Sequence, residues 1–134
     1  MQALGRHLMI ELWDCNPAIN HPHAVQAAIE EAVPAIGATL LNLHVHAFSP
    51  QGVTGVATLA ESHLALHTWP EHRYLAADVF TCGTHTEPGA LVEVLKRRFQ
   101  PGVVEVREIV RGQPPNRNPS SPTDDWALIS VKEL

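Results

Sequence analysis

Leu8, Ile10 and Leu12 alternate with His7, Met9, Glu11 and Trp13, a period of two that predicts a strand with one apolar and one mixed face. Asn16-Pro17 ends it. From residue 22 the period lengthens. Val25, Ala28, Ile29, Ala32, Val33 and Ile36 form one stripe of a helix over 22–36, with Asn20 or His21 as cap, Pro22 in the first turn and Pro34 and Gly37 at its close. Alternation returns over 38–48, with Leu41, Leu43, Val45 and Ala47 on one face and Asn42, His44, His46 and Phe48 on the other. The turn Ser49-Pro50-Gln51-Gly52 follows. Further strands are expected over 53–60, 63–69 and 74–81. Glu87-Pro88-Gly89 opens a second helix with Leu91, Val94, Leu95 and Phe99 buried, and a strand over 102–111 comes after it. Gln113 to Asp125, rich in Pro, Asn, Ser and Asp, reads as a flexible loop. Trp126 to Val131 can add a short last strand.

This pattern predicts an α+β protein: a two-layer sandwich with a largely antiparallel sheet and two helices on one face, in the condensed order β-α-β-β-β-α-β. The sheet face turned away from the helices carries His7, Met9, Trp13, His44, His46 and Phe48. Such a mixed, aromatic face suits either solvent or a partner subunit.

The 134 residues fit one domain, 1–134, large enough for a core of its own. A net charge of −5 with scattered basic residues argues against nucleic acid as partner. No apolar run reaches the ~20 residues of a membrane span, and no leader pattern opens the chain. With two cysteines, Cys15 and Cys82, the expectation is a reduced, cytoplasmic protein without a disulfide framework.

Nine histidines raise the prospect of metal binding or acid–base chemistry. His44-x-His46, His63-x3-His67 and His21-x-His23 have spacings that tempt a metal reading. Zinc sites usually add cysteine or carboxylate in a defined second pair, and neither CxxC nor HExxH occurs. No metal is therefore expected, and a histidine-rich metal-binding module is a remote alternative.

The informative stretch runs from Phe48 to Gly83. FSPQGVTG, AESHLALHTWPE and AADVFTCG, with the opening GRHLMIELWDC, resemble the small prokaryotic S-adenosylmethionine decarboxylases over roughly residues 4–112. The resemblance implies a proenzyme that cuts itself between Glu61 and Ser62. The products would be a β chain, 1–61, and an α chain, 62–134, with Ser62 converted to a covalent pyruvoyl group. Decarboxylation leaves a carbanion at Cα that no side chain stabilises. A Schiff base between substrate and pyruvoyl group supplies the electron sink. His67 matches the histidine that removes a proton during processing, and Thr54 the hydroxyl that assists, usually serine. Cys82 matches the acid that returns a proton to Cα, a role a thiol with pKa near ~8.5 suits at neutral pH. Phe48 corresponds to a residue stacking on adenine, and Glu71 to one accepting from ribose hydroxyls.

Five residues along a straight strand would put Ser62 and His67 on opposite faces, so a turn or bulge is expected near Ser62-His63. The resemblance further implies a homodimer of cleaved protomers with the active site near the interface, and a product used as aminopropyl donor in spermidine biosynthesis. After Glu71 the family commonly has Tyr-Gly-Tyr; here stands His72-Arg73-Tyr74. Arg73 leaves open whether it faces solvent, holds the substrate carboxylate, or marks a pyruvoyl enzyme acting on arginine or ornithine. A non-catalytic homologue is disfavoured by the intact Glu61-Ser62, His67 and Cys82.

Overall fold

The computed structural model describes residues 3–82, 84–115 and 131–133. Seven strands form one sheet: β1 (Gly5–Trp13), β2 (Leu40–Ala47), β3 (Val53–Leu59), β4 (Ser62–Trp69), β5 (Tyr74–Cys82), β6 (Val103–Arg111) and β7 (Val131–Glu133). The spatial order is β2-β3-β4-β5-β1-β6-β7, and every neighbouring pair is antiparallel. Helices α1 (Pro22–Ile36) and α2 (Ala90–Phe99) share one core cluster with Leu8, Ile10, Leu12, Leu64, Leu66, Leu75 and Val79. Both therefore cover the same face, as the two-layer sandwich requires.

Four strands, not the three of the condensed order, lie between the helices. The separate strand expectations over 38–48, 53–60, 63–69 and 74–81 already number four, so the condensed order omits one of them. The expected loop at 113–125 and the start of the expected last strand lie largely outside the described residues; β7 begins at Val131.

The α1 stripe is buried as the periodicity predicts. Gly37 closes the helix at φ 84°, a left-handed turn that favours glycine. Pro34 lies inside the last turn rather than ending it. His21, not Asn20, is the cap residue and makes no side-chain cap bond; the Asn20 side chain accepts from the Gly52 amide at 3.0 Å. In β2 the expected apolar face is broken. Leu41 is 63% exposed because the register with β3 shifts between Leu40 and Asn42, a bulge that turns one residue outward.

The opposite sheet face is open. Met9, Trp13, Val56, Trp69 and Val103 are each more than two-fifths exposed. Trp13 stacks on Tyr74 at 4.3 Å between centroids, and the Tyr74 hydroxyl donates to Glu11. Burial first, and the Glu11 carboxylate second, push the Tyr74 phenol well above its ordinary range.

Candidate active site

The β3–β4 hairpin presents the proposed cleavage bond at its tip. Ala60 donates to the Thr39 carbonyl at 2.9 Å, and the Thr39 amide donates to Glu61 Oε1 at 2.9 Å. That amide, aided by His85, holds the Glu61 carboxyl below the usual range. The Glu61 main-chain carbonyl accepts from the Cys82 amide at 3.2 Å. Ser62 follows with φ 147°, a region that L-residues avoid and that stores strain of about 1–3 kcal/mol. Strain and a polarising N–H thus meet on one peptide bond.

Of the turn or bulge expected near Ser62-His63, a turn is present directly before Ser62 and no bulge forms. The turn falls at Ala60-Glu61, and the ladders to β3 and β5 run unbroken from Ser62 onward. Strong pairing on both sides of an interior strand leaves no slack for an extra residue. His67 consequently stays five residues down β4, roughly 16 Å along the strand.

The candidate residues fall into two groups. Ser62 and Cys82 lie at one end of the strands, where Ser62 pairs with Thr81. Thr54 and His67 lie toward the other end as direct cross-strand partners, with Thr54 Oγ1 3.2 Å from His67 Nδ1. Phe48 and Glu71 join this second group. The half-exposed Phe48 directly follows β2 and meets His46 edge-on at 4.6 Å. Glu71 Oε2 accepts from Gln51 at 2.8 Å, tying the 48–52 turn to the short helix Pro70–His72.

Arg73 adopts φ 52°, which explains why glycine suits this position. Its side chain donates to the carbonyls of Cys15 at 3.1 Å and Asp14 at 3.3 Å. Arg73 is therefore committed to the end of β1.

Three side chains that strand parity could have grouped, but motif spacing did not, converge on the open face beside Ser62. Asp78 Oδ2 lies 2.9 Å from His7 Nε2 and 3.4 Å from His63 Nε2. Ser62 Oγ lies 3.2 Å from His63 Nδ1. His7, His63 and Asp78 form the one group of three metal-capable side chains found among the described residues. None of the sequence-spaced pairs at 21/23, 44/46 or 63/67 belongs to such a group as a pair. The two histidines already share the carboxylate. Of the cysteines, Cys15 is buried, with its thiol pushed up to about 11 by desolvation, whereas Cys82 is exposed.

Fold and site together define a small α+β-sandwich enzyme with His7, His63, His67 and Asp78 on one open sheet face. The sequence profile described as S-adenosylmethionine decarboxylase matches residues 6–112. A Thermomicrobium roseum protein named S-adenosylmethionine decarboxylase proenzyme is 51% identical over 113 residues, covering 84% of this chain and 97% of its own. A Methanococcus maripaludis protein of the same name is 47% identical, covering 84% and 93%. The crystal structure of the adenosylmethionine decarboxylase from Aquifex aeolicus superposes with a TM-score of 0.79 at 28% identity, covering 88% of this chain and 98% of that one. The chain belongs to the S-adenosylmethionine decarboxylase family. Among the described residues no helix is long and apolar enough to cross a membrane.

Proposed function

We propose that this protein cuts itself between Glu61 and Ser62 and then decarboxylates S-adenosylmethionine with the pyruvoyl group so formed. The observation that carries this reading is the Glu61–Ser62 bond itself, strained at Ser62 (φ 147°) and with its carbonyl already on the Cys82 amide. Ser62 Oγ attacks the Glu61 carbonyl carbon. The oxyanion keeps the Cys82 N–H as donor, and the strain offsets part of the uphill exchange of amide for ester. The C–N bond breaks, the nitrogen takes a proton, and Glu61 is left esterified to Ser62. A base then removes the Ser62 Cα proton, the Glu61 carboxylate leaves, and water converts the remaining dehydroalanine to pyruvoyl and ammonia. The chains 1–61 and 62–134 result.

His67 suits that base, with the Thr54 hydroxyl orienting its ring. It is too far from Ser62 of its own chain, by roughly 16 Å of strand. Two copies stacked open face to open face about a two-fold axis would bring the His67 end of one sheet against the Ser62 end of the other, at ~10 Å sheet spacing. Each site would then hold Ser62 and Cys82 from one copy and Thr54, His67, Phe48 and Glu71 from its partner. The exposed Met9, Trp13, Val56 and Trp69 support burial of this face.

The pyruvoyl group supplies the electron sink for loss of carbon dioxide. The exposed Cys82 thiol returns a proton to Cα. Phe48 offers a ring for adenine, and Glu71 a carboxylate for ribose hydroxyls. Arg73 is occupied by backbone carbonyls, which weighs against a role in selecting arginine or ornithine. The product suits aminopropyl transfer in spermidine biosynthesis, and the two unpaired cysteines fit the cytoplasm.

Intact mass before and after borohydride tests the reading. Two fragments are expected, the larger gaining hydrogen at a ketone. A single chain with an ordinary serine at 62 in active protein would refute it.

A further inference from the structure

Removal of the Ser62 Cα proton is a late step; the first step needs a different proton moved. Ser62 Oγ–H must lose its proton as Oγ bonds to the Glu61 carbonyl carbon. His67 of the same chain lies roughly 16 Å away along β4, and His67 of the partner copy is assigned above to the later Cα proton. His63 sits next to the Ser62 hydroxyl.

We propose that His63, positioned by Asp78 and His7, is the general base that activates Ser62 for self-cleavage. This rests on the self-processing reading above and assigns a residue to its opening step. Ser62 Oγ lies 3.2 Å from His63 Nδ1. The other nitrogen of the same ring, Nε2, faces Asp78 Oδ2 at 3.4 Å. A carboxylate this near Nε2 favours the tautomer with its proton there, which leaves the Nδ1 lone pair toward the serine hydroxyl. The chain of polarity continues consistently. His7 Nε2 donates to the same Asp78 oxygen at 2.9 Å, so His7 Nδ1 is an acceptor, and Arg111 Nη1 lies 3.4 Å from it. Arg111 is itself held over the Phe80 ring at 4.5 Å. The four residues come from β1, β4, β5 and β6, so the sheet fixes their spacing without any loop.

Hydroxyl, imidazole and carboxylate follow the logic of a nucleophile–base–orienter triad, recognised by roles and not by chain order. The Ser62 proton passes to His63 Nδ1 as the C–O bond forms. The oxyanion is held by the Cys82 amide. His63 then returns the proton to the Ser62 nitrogen as the C–N bond breaks, leaving ester and free amine with atoms and charge balanced.

The test follows cleavage of freshly refolded full-length chains by intact mass, with wild type, His63→Ala, Asp78→Asn and His67→Ala in parallel. Hydroxylamine reports the ester, because it cuts esters and spares amides. His63→Ala is expected to slow cleavage by about 100-fold or more, to accumulate no hydroxylamine-labile species, and to recover in part with added imidazole. Asp78→Asn is expected to slow it about tenfold. His67→Ala is expected to stall as the labile ester. Wild-type speed in His63→Ala, a labile ester in His63→Ala, no rescue by imidazole, or cleavage abolished by EDTA and restored by zinc would each overturn the proposal. A wild-type chain that never cuts would instead remove the processing reading, and this proposal with it.

Discussion

Thr54 Oγ1 and His67 Nδ1 lie 3.2 Å apart on residues directly paired between β3 and β4. The hydroxyl fixes the imidazole plane at little entropic cost, because both backbones are already held by the ladder. Threonine keeps the hydroxyl that serine would offer and adds a methyl. Thr54→Ala is expected to slow the appearance of fragments by about 10- to 100-fold, the worth of one hydrogen bond to a group that becomes charged. Thr54→Ser should cut at least as fast as wild type. A gel time course after refolding checks both.

If one copy supplies His67 and the other Ser62, defective chains complement one another. Ser62→Ala and His67→Ala, refolded separately, should each stay uncut. Refolded together, they should release fragments only from the His67→Ala chain, whose Ser62 meets an intact partner histidine. Mass spectrometry identifies which chain was cut. No fragments from the mixture would show that the histidine must act within its own chain.

On the proposed reading Cys82 contributes twice, through its amide and through its thiol, and the two are separable. Cys82→Ala keeps the amide on the Glu61 carbonyl. It should still self-cleave, while decarboxylation falls by about 10²- to 10⁴-fold, the usual worth of a positioned acid. A maleimide should label exposed Cys82 ahead of Cys15, which is buried with its thiol at about 11. Peptide mapping after a short exposure reads the order.

Gly55 lets α1 approach the sheet. A Cβ there would lie 2.6 Å from Ile29 Cδ1 and 3.2 Å from Val25 Cγ1. Gly55→Ala should destabilise the fold by about 1–3 kcal/mol, the usual range for overpacking. Ile29→Val removes the offending methyl, so the double variant should regain part of that loss. Urea unfolding of the uncut Ser62→Ala background measures it.

Glu31 on α1 accepts from Arg97 and Arg98 on α2, which hold its carboxyl below the usual range. A depressed folded value means that the stabilisation is full above the ordinary carboxylate range, near ~4.3. It is lost as pH falls through the folded value. Glu31→Gln should melt below wild type at pH 7, and the gap should close in acid. The groups are partly exposed, so the effect is small and salt-sensitive. Melting curves at pH 3 to 7 decide it.

Much of this was legible in the sequence. The α1 stripe from Val25 to Ile36 and the alternation of Leu8, Ile10 and Leu12 are local periodicities, and local periodicity survives folding. The motif around Ser62 pointed to the candidate residues. What escaped was relational. The separation of Ser62 from His67 depends on an unbroken ladder, which a chain read in one dimension does not display. The Leu40/Asn42 bulge that turns Leu41 outward breaks parity without any glycine or proline to announce it. Asp78 meets His63 through the β4–β5 pairing, and His7 joins them only because β1 inserts next to β5, a pairing of segments about seventy residues apart.

That insertion has one more consequence. In the order β2-β3-β4-β5-β1-β6-β7, residues 1–61 contribute β1, β2 and β3, and the remainder contributes β4 to β7. The proposed scission at the hairpin tip would therefore leave neither piece able to drift off. The N-terminal piece is clasped like interlaced fingers, with β1 wedged between β5 and β6 while β3 grips β4. Parting the two halves would mean tearing three separate ladders at once, so a severed backbone remains one folded body.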